Sequence, residues 1–220
     1  MSNEPGNFLI AFNIDQYWSE NFRRFSIAHE LGHISIPDHR KILEGEKIHY
    51  SNSEFVSEKP IEREADCFAI NFLAPSTLFK NKIENTDFNF EMIDILSHEF
   101  QISQYATAIR YIEKTDDPCA LIIIDQDGYI KFEKRSMALK NFFKNHDLIN
   151  ANKIKSTTLA FDYLKGDKSK ISMDVSLQDW YDDLQIDIPA NESIIELKYC
   201  NKLLCLLSSQ IKDLESYSSD

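Results

Sequence analysis

The sequence predicts an α+β fold: a mainly helical first half opened by a short N-terminal sheet, then a small α/β domain. Two observations predict it. From residue 19 to residue 114 apolar side chains recur three and four positions apart, with prolines where such segments should start or stop. After Thr115-Asp116-Asp117-Pro118 the composition shifts to aliphatic runs separated by Asp-Gly and Asn-Lys pairs, the pattern of hairpins. The expected organisation is one domain over residues 1–115, a second over 116–209 and a flexible tail over 210–220.

Each element has its own reason. Residues 8–12 (Phe-Leu-Ile-Ala-Phe) read as a short strand followed by a polar turn. Ser19 suits the N-cap of a helix over residues 20–34, with Phe22, Phe25, Ala28, Leu31 and Gly32 as its apolar or small surface. Pro37 ends it, because proline disfavours helix in the residue before it. Residues 38–58 are polar and irregular and read as a loop. Pro60 fits the first turn of a second helix over 61–73, apolar through Ile61, Ala65, Phe68, Ala69, Phe72 and Leu73 and closed by Pro75. Met92, Ile93, Ile95, Leu96 and Phe100 mark a third helix. Ile102, Tyr105, Ala106, Ile109 and Ile112 mark a fourth, and together they give residues 91–114 a helix-turn-helix look. In the second domain residues 120–125 and 129–134 flank Asp127-Gly128, a strong hairpin signal. Gly166 suits the end of a helix over 159–164. Residues 192–199 and 203–207 form a second hairpin around Asn201-Lys202, and the polar last ten residues are expected to fray.

Composition excludes several classes of function. With 36 acidic against 24 basic residues the net charge is −12, and no basic patch offsets it. Such a surface repels nucleic acid and anionic membrane. Within residues 91–114, Glu91, Asp94, Glu99 and Glu113 oppose only Arg110 and Lys114, so the helix-turn-helix look is assigned to packing and not to DNA. The N-terminus lacks a basic region ahead of an apolar run, so no signal peptide is expected, and no apolar run approaches bilayer length. Cys67, Cys119, Cys200 and Cys205 are scattered and include no Cys-x-x-Cys pair. They are read as buried small hydrophobes in a reducing, cytoplasmic setting.

The chemistry concentrates at His29-Glu30-Leu31-Gly32-His33. Residues four apart on a helix share a face, so His29 and His33 can aim at one point, with the Glu30 carboxylate beside them. Two histidines and an adjacent acid are the makings of a zinc hydrolase site, which wants three protein ligands and leaves one position for water. Two candidates exist for the third ligand. His39 has the spacing of the extended metzincin motif, but Ile36 stands where that motif has glycine and no Met-turn follows, so an exposed loop histidine is the better reading. Glu62 lies on the second helix, with Asp66 one turn later, placed to accept the spare N–H of a ligating histidine. Glu64 is a rival to Glu62 two residues on. Each of these acids has the ordinary alternative of a solvated helix face.

The run Arg24-Phe25-Ser26-Ile27-Ala28-His29-Glu30-Leu31-Gly32-His33 resembles the Arg-Phe-Thr-x-Ala-His-Glu-x-Gly-His signature of the ImmA/IrrE metallopeptidases. Residues 62–75 resemble that family's second signature, Glu-x-x-Ala-Asn-x-Phe-Ala-x-x-Leu-Leu-Met-Pro, with departures at Asp66, Phe72 and Ala74. The resemblance covers about residues 8–115, and the chain ahead of Phe8 is shorter than is usual in the family. It implies a zincin-like core and, by position, Glu62 as third ligand to a zinc ion (Zn2+) with His29 and His33. It further implies Glu30 as the base that activates water and returns the proton to the leaving amine. The implied substrate is a helix-turn-helix transcriptional repressor, cut to derepress a mobile element or stress genes. The second domain would then be a GAF-like sensor. His49, Tyr50 and His98 are oxyanion-stabilising candidates by residue type only, and the strand at 8–12 could pair with an extended substrate. The rival readings are a non-catalytic, metal-stabilised module that sequesters a regulatory protein and, against the charge, a DNA-binding regulator.

Overall fold

The Ser19 hydroxyl accepts the Phe22 N–H at 3.2 Å and starts helix α1, Glu20–Ser35. The computed structural model of the protein describes residues 8–10, 19–45, 59–143, 153–182, 184, 186–197 and 200–214. The chain divides into two compact units, residues 1–78 with 97–103 and residues 79–96 with 104–220. The composition shift at 115–118 marks the passage from helix to strand, whereas this division falls earlier and interleaves the helices.

In the first unit α1 packs along α3, Pro60–Leu73. Proline at the first helical position of α3 gives up an N–H that would have had no partner. Between them lies a correction. Residues 38–58 read as a loop, yet Pro37–Gly45 is helix α2, again opened by proline. It is polar and exposed nearly all round and is braced by Asp38–Lys41 (2.9 Å) and Arg40–Glu44 (3.1 Å) ion pairs. Its buried side chain is His39. The expected N-terminal strand is a second correction: residues 8–10 are not strand, and the rest of that stretch lies outside the described residues.

The second unit holds every strand among the described residues. These are β1 (Cys119–Asp125), β2 (Ile130–Arg135), β3 (Ser172–Ser176), β4 (Pro189–Leu197) and β5 (Lys202–Ser209), in one antiparallel sheet of order β2-β1-β5-β4-β3. Register aligns Ile122, Cys205 and Ile194 across the three central strands. With Ala120, Ile124, Leu203 and Leu207 they form one core with Trp180, Tyr181, Leu159 and Phe143. Strand side chains alternate, so Leu121 and Ile123 are buried on the opposite face. Asp127-Gly128 makes the expected turn, with Gly128 at φ 83° and the Asp125 carboxylate accepting the Tyr129 N–H at 2.8 Å.

Helices α4 (Ser76–Ile83), which sequence spacing did not suggest, α5 (Phe90–Phe100) and α6 (Gln104–Lys114) complete the helical complement before the sheet. The buried face of α6 (Thr107, Ala108, Tyr111, Ile112) lies against β1 and β2, so that helix is a packing element. Short helices α7 (Met137–Phe142) and α8 (Leu159–Leu164) follow, the latter closed by Gly166 at φ 102°. No helix among the described residues is long and apolar enough to cross a membrane. Cys119 and Cys205 are buried as expected, but Cys67 is exposed and Cys200 intermediate.

Glu192 on β4 is fully buried and ties three elements together. Its carboxylate accepts the N–H groups of Leu159 (3.1 Å) and Ala160 (2.8 Å) and the Trp180 indole N–H (3.3 Å). Burial outweighs these donors and pushes its pKa from 4.5 up to about 7. Between those values the folded protein holds a proton that the unfolded chain releases, so the contribution falls as pH rises through that window and is flat above it. Stability is expected to drop by about 3 kcal/mol at most on this account between pH 4.5 and 7.5. Denaturation midpoints of wild type and Glu192→Gln across that range check it: the variant should lose most of the slope.

Candidate metal centre

Helix α1 carries His29 and His33 one turn apart, and α3 carries Glu62 in its first turn. What brings them together is the closeness of the two helices. A Cβ added at Gly32 would lie 3.1 Å from Phe68 Cβ and 3.2 Å from the Ala65 Cα. A side chain there would require its neighbours on α3 to give by a few tenths of an ångström. Ala28 on α1 and Ala65 and Ala69 on α3 are buried too, so small residues line both helices.

The three donor atoms form a tight triangle. His33 Nε2 lies 3.0 Å from His29 Nε2, His29 Nε2 lies 3.1 Å from Glu62 Oε2, and His33 Nε2 lies 3.6 Å from Glu62 Oε2. Ligands of a tetrahedral zinc ion at 2.0–2.1 Å stand about 3.3–3.4 Å apart, a spacing these distances bracket. All three residues are buried, and among the described residues they are the one cluster of three metal-ligating side chains. Asp66 Oδ1 accepts His29 Nδ1–H at 2.8 Å, which leaves the Nε2 lone pair facing the triangle. Burial pulls the His29 pKa down, but the hydrogen bond and charge of Asp66, with Glu30 and Glu62, more than reverse it and the net shift is upward. Two buried imidazoles and one carboxylate are therefore compatible with a metal ion in kind, number and spacing.

Glu30 is half-buried and makes no hydrogen bond or ion pair among the described residues; its interaction with His29 is through space. The structure thus brings together His29, His33 and Glu62, with Asp66 behind one histidine. It keeps the rival Glu64 apart, on His39.

His39 departs most from expectation. It is 3 % exposed, not a surface loop residue. Its Nδ1 lies 3.2 Å from His33 Nδ1, on the side away from the triangle, and its Nε2 lies 2.9 Å from Glu64 Oε2. Sequence reasoning missed this pairing; the available signal was a histidine two residues past Pro37, where a second helix can fold back on the first. Of the oxyanion candidates, His98 is exposed on α5, and His49 and Tyr50 lie outside the described residues.

Comparison with known proteins agrees with this geometry. Residues 13–111 match the family model described as Peptidase_M78, IrrE N-terminal-like domain. No curated protein matches. Among solved structures, a Mycobacterium tuberculosis transcriptional regulator is similar at 14 % identity and a TM-score of 0.50, covering 88 % of this chain. The chain spans 57 % of that structure's length, and the likeness concerns the fold alone.

The helix spacing can be tested directly. Gly32→Ala gains up to about 1 kcal/mol of helix propensity, but forcing a methyl against α3 backbone costs about 1–3 kcal/mol. The expected result is a net loss of stability together with weaker binding of zinc, measured by denaturation and by competition with a chromophoric chelator. Unchanged zinc affinity would separate the site from the helix spacing.

Proposed function

Because residues 13–111 belong to the IrrE N-terminal-like domain family, we propose that this protein is a zinc metalloendopeptidase with a zincin-like core. The observation that carries the reading is the buried His29–His33–Glu62 triangle with the unengaged Glu30 beside it. His29, His33 and Glu62 hold the ion, and Asp66 keeps the proton on His29 Nδ1. Zinc bound there supplies a Lewis acid that polarises a peptide carbonyl and acidifies water. Glu30 takes the proton from the attacking water and delivers it to the nitrogen of the leaving amine, so the peptide bond and one water become a carboxylate and an amine.

The substrate class is a helix-turn-helix transcriptional repressor in the cytoplasm, cut to release a mobile element or stress-response genes. This extension rests on resemblance to repressor-cleaving members of the family. The acidic surface supports a protein substrate over nucleic acid or membrane. The domain after residue 115 is read as a GAF-like sensor, which the five-stranded sheet with a continuous apolar face supports. A purely structural metal site that sequesters a partner is the weaker reading, because such sites are closed by a fourth ligand and have no use for a carboxylate placed as Glu30 is.

Two experiments test it. Glu30→Gln is expected to keep fold and zinc while lowering cleavage of the cognate helix-turn-helix repressor by at least about 100-fold, the usual worth of a general base. Undiminished cleavage would contradict the mechanism. Metal analysis should find zinc lost from Glu62→Ala and kept by Glu64→Ala as an affinity at most modestly weakened; the reverse pattern would move the third ligand to Glu64.

A further inference from the structure

The two histidines of the triangle are not supported alike. Behind His29 stands a carboxylate, Asp66. Behind His33 stands a second imidazole, His39, with a carboxylate behind that, Glu64. We propose that His39 and Glu64 form a positioning relay that fixes the tautomer and ring orientation of His33, as Asp66 does for His29. The inference rests on the metal-centre reading above.

When His33 Nε2 gives its lone pair to a metal, a neutral His33 carries its hydrogen on Nδ1. That hydrogen points at His39 Nδ1, 3.2 Å away, which must then be an unprotonated acceptor. His39 accordingly carries its hydrogen on Nε2 and donates it to Glu64 Oε2 at 2.9 Å. The chain is Glu64 carboxylate, His39, His33, metal site, His29, Asp66 carboxylate, with each ring in one defined tautomer. His33 is fully buried, so its contact with His39 is shielded from solvent. His39 itself is no fourth ligand. Its Nε2 is engaged by Glu64, its Nδ1 faces the far side of His33, and it stands outside the cluster of converging donor atoms.

The chain reaches this arrangement through α2. Pro37 restarts the helix directly after α1, and that fold-back brings His39 onto His33. Glu64 sits two residues from Glu62, on the exposed side of α3, where it meets His39 without entering the triangle. One helix thus supplies a ligand and the outer anchors of both histidines, Glu62 with Asp66 and Glu64.

The test compares zinc dissociation constants, by chelator competition, for wild type, His39→Leu, His39→Gln and Glu64→Ala. Glutamine can accept from His33 Nδ1–H through its oxygen and donate to Glu64 through its amide nitrogen, so it retains the relay, whereas leucine breaks it. His39→Leu is expected to weaken zinc binding about 10–100-fold, Glu64→Ala several-fold, and His39→Gln by no more than about threefold. The Glu64 side chain is 63 % exposed, so Glu64→Ala tests the relay without disturbing packing should His39→Leu not fold. Long-range 1H–15N spectra of the zinc-loaded wild type should place the ring proton of His33 on Nδ1 and that of His39 on Nε2. A proton on His39 Nδ1, or a His39→Leu protein that folds and binds zinc as tightly as wild type, would overturn the proposal. Zinc retained by His33→Ala and Glu62→Ala would instead fault the metal-centre reading itself.

Discussion

The site depends on how closely α1 and α3 approach. The histidines sit on one helix and Glu62 on the other, so their donor atoms converge only while the axes stay near. Gly32 sets that distance against the Ala65 backbone and the root of Phe68, with Ala28, Ala65 and Ala69 keeping the seam shallow. Close approach of this kind leaves little side-chain slack, so small-residue packing turns directly into ligand geometry.

Within that seam the electrostatics are unusual for a protein interior. Three metal-ligating atoms stand 3.0–3.6 Å apart among buried side chains, with Asp66 and His39 against the far nitrogens of the two histidines. Bringing lone pairs together without a cation is costly where dielectric screening is weak. The same arrangement becomes favourable around a divalent ion. A buried polar constellation of this kind at the meeting of two packed helices is compatible with a bound metal ion.

Much of this was legible in the sequence. The four-residue spacing of His29 and His33 on a capped helix, and the proline-opened α3 bearing Glu62 and Asp66, both follow from local rules that the structure keeps. The hairpins around Asp127-Gly128 and Asn201 were legible because turn chemistry and aliphatic runs coincide there. Other parts were hidden for physical reasons. Helix α2 is short and exposed nearly all round, so it lacks the apolar stripe that announces a helix, and side-chain ion pairs brace it instead. Edge strand β3, Ser-Met-Asp-Val-Ser, is defined by pairing with β4 more than by its own composition. The role of His39 could not emerge from spacing that resembled another motif, because it depends on α2 folding back across Pro37. The expected strand at 8–12 is not strand over residues 8–10, where an apolar run alone does not make a sheet.

Mononuclear coordination by two imidazoles and one carboxylate has a distinct spectroscopic signature. X-ray absorption at the zinc edge of the purified full-length protein tests it most directly. One zinc per chain is expected, with only nitrogen and oxygen neighbours at about 2.0–2.1 Å and multiple-scattering features of two imidazole rings. Sulfur neighbours at about 2.3 Å, or a protein that takes up no zinc, would contradict it.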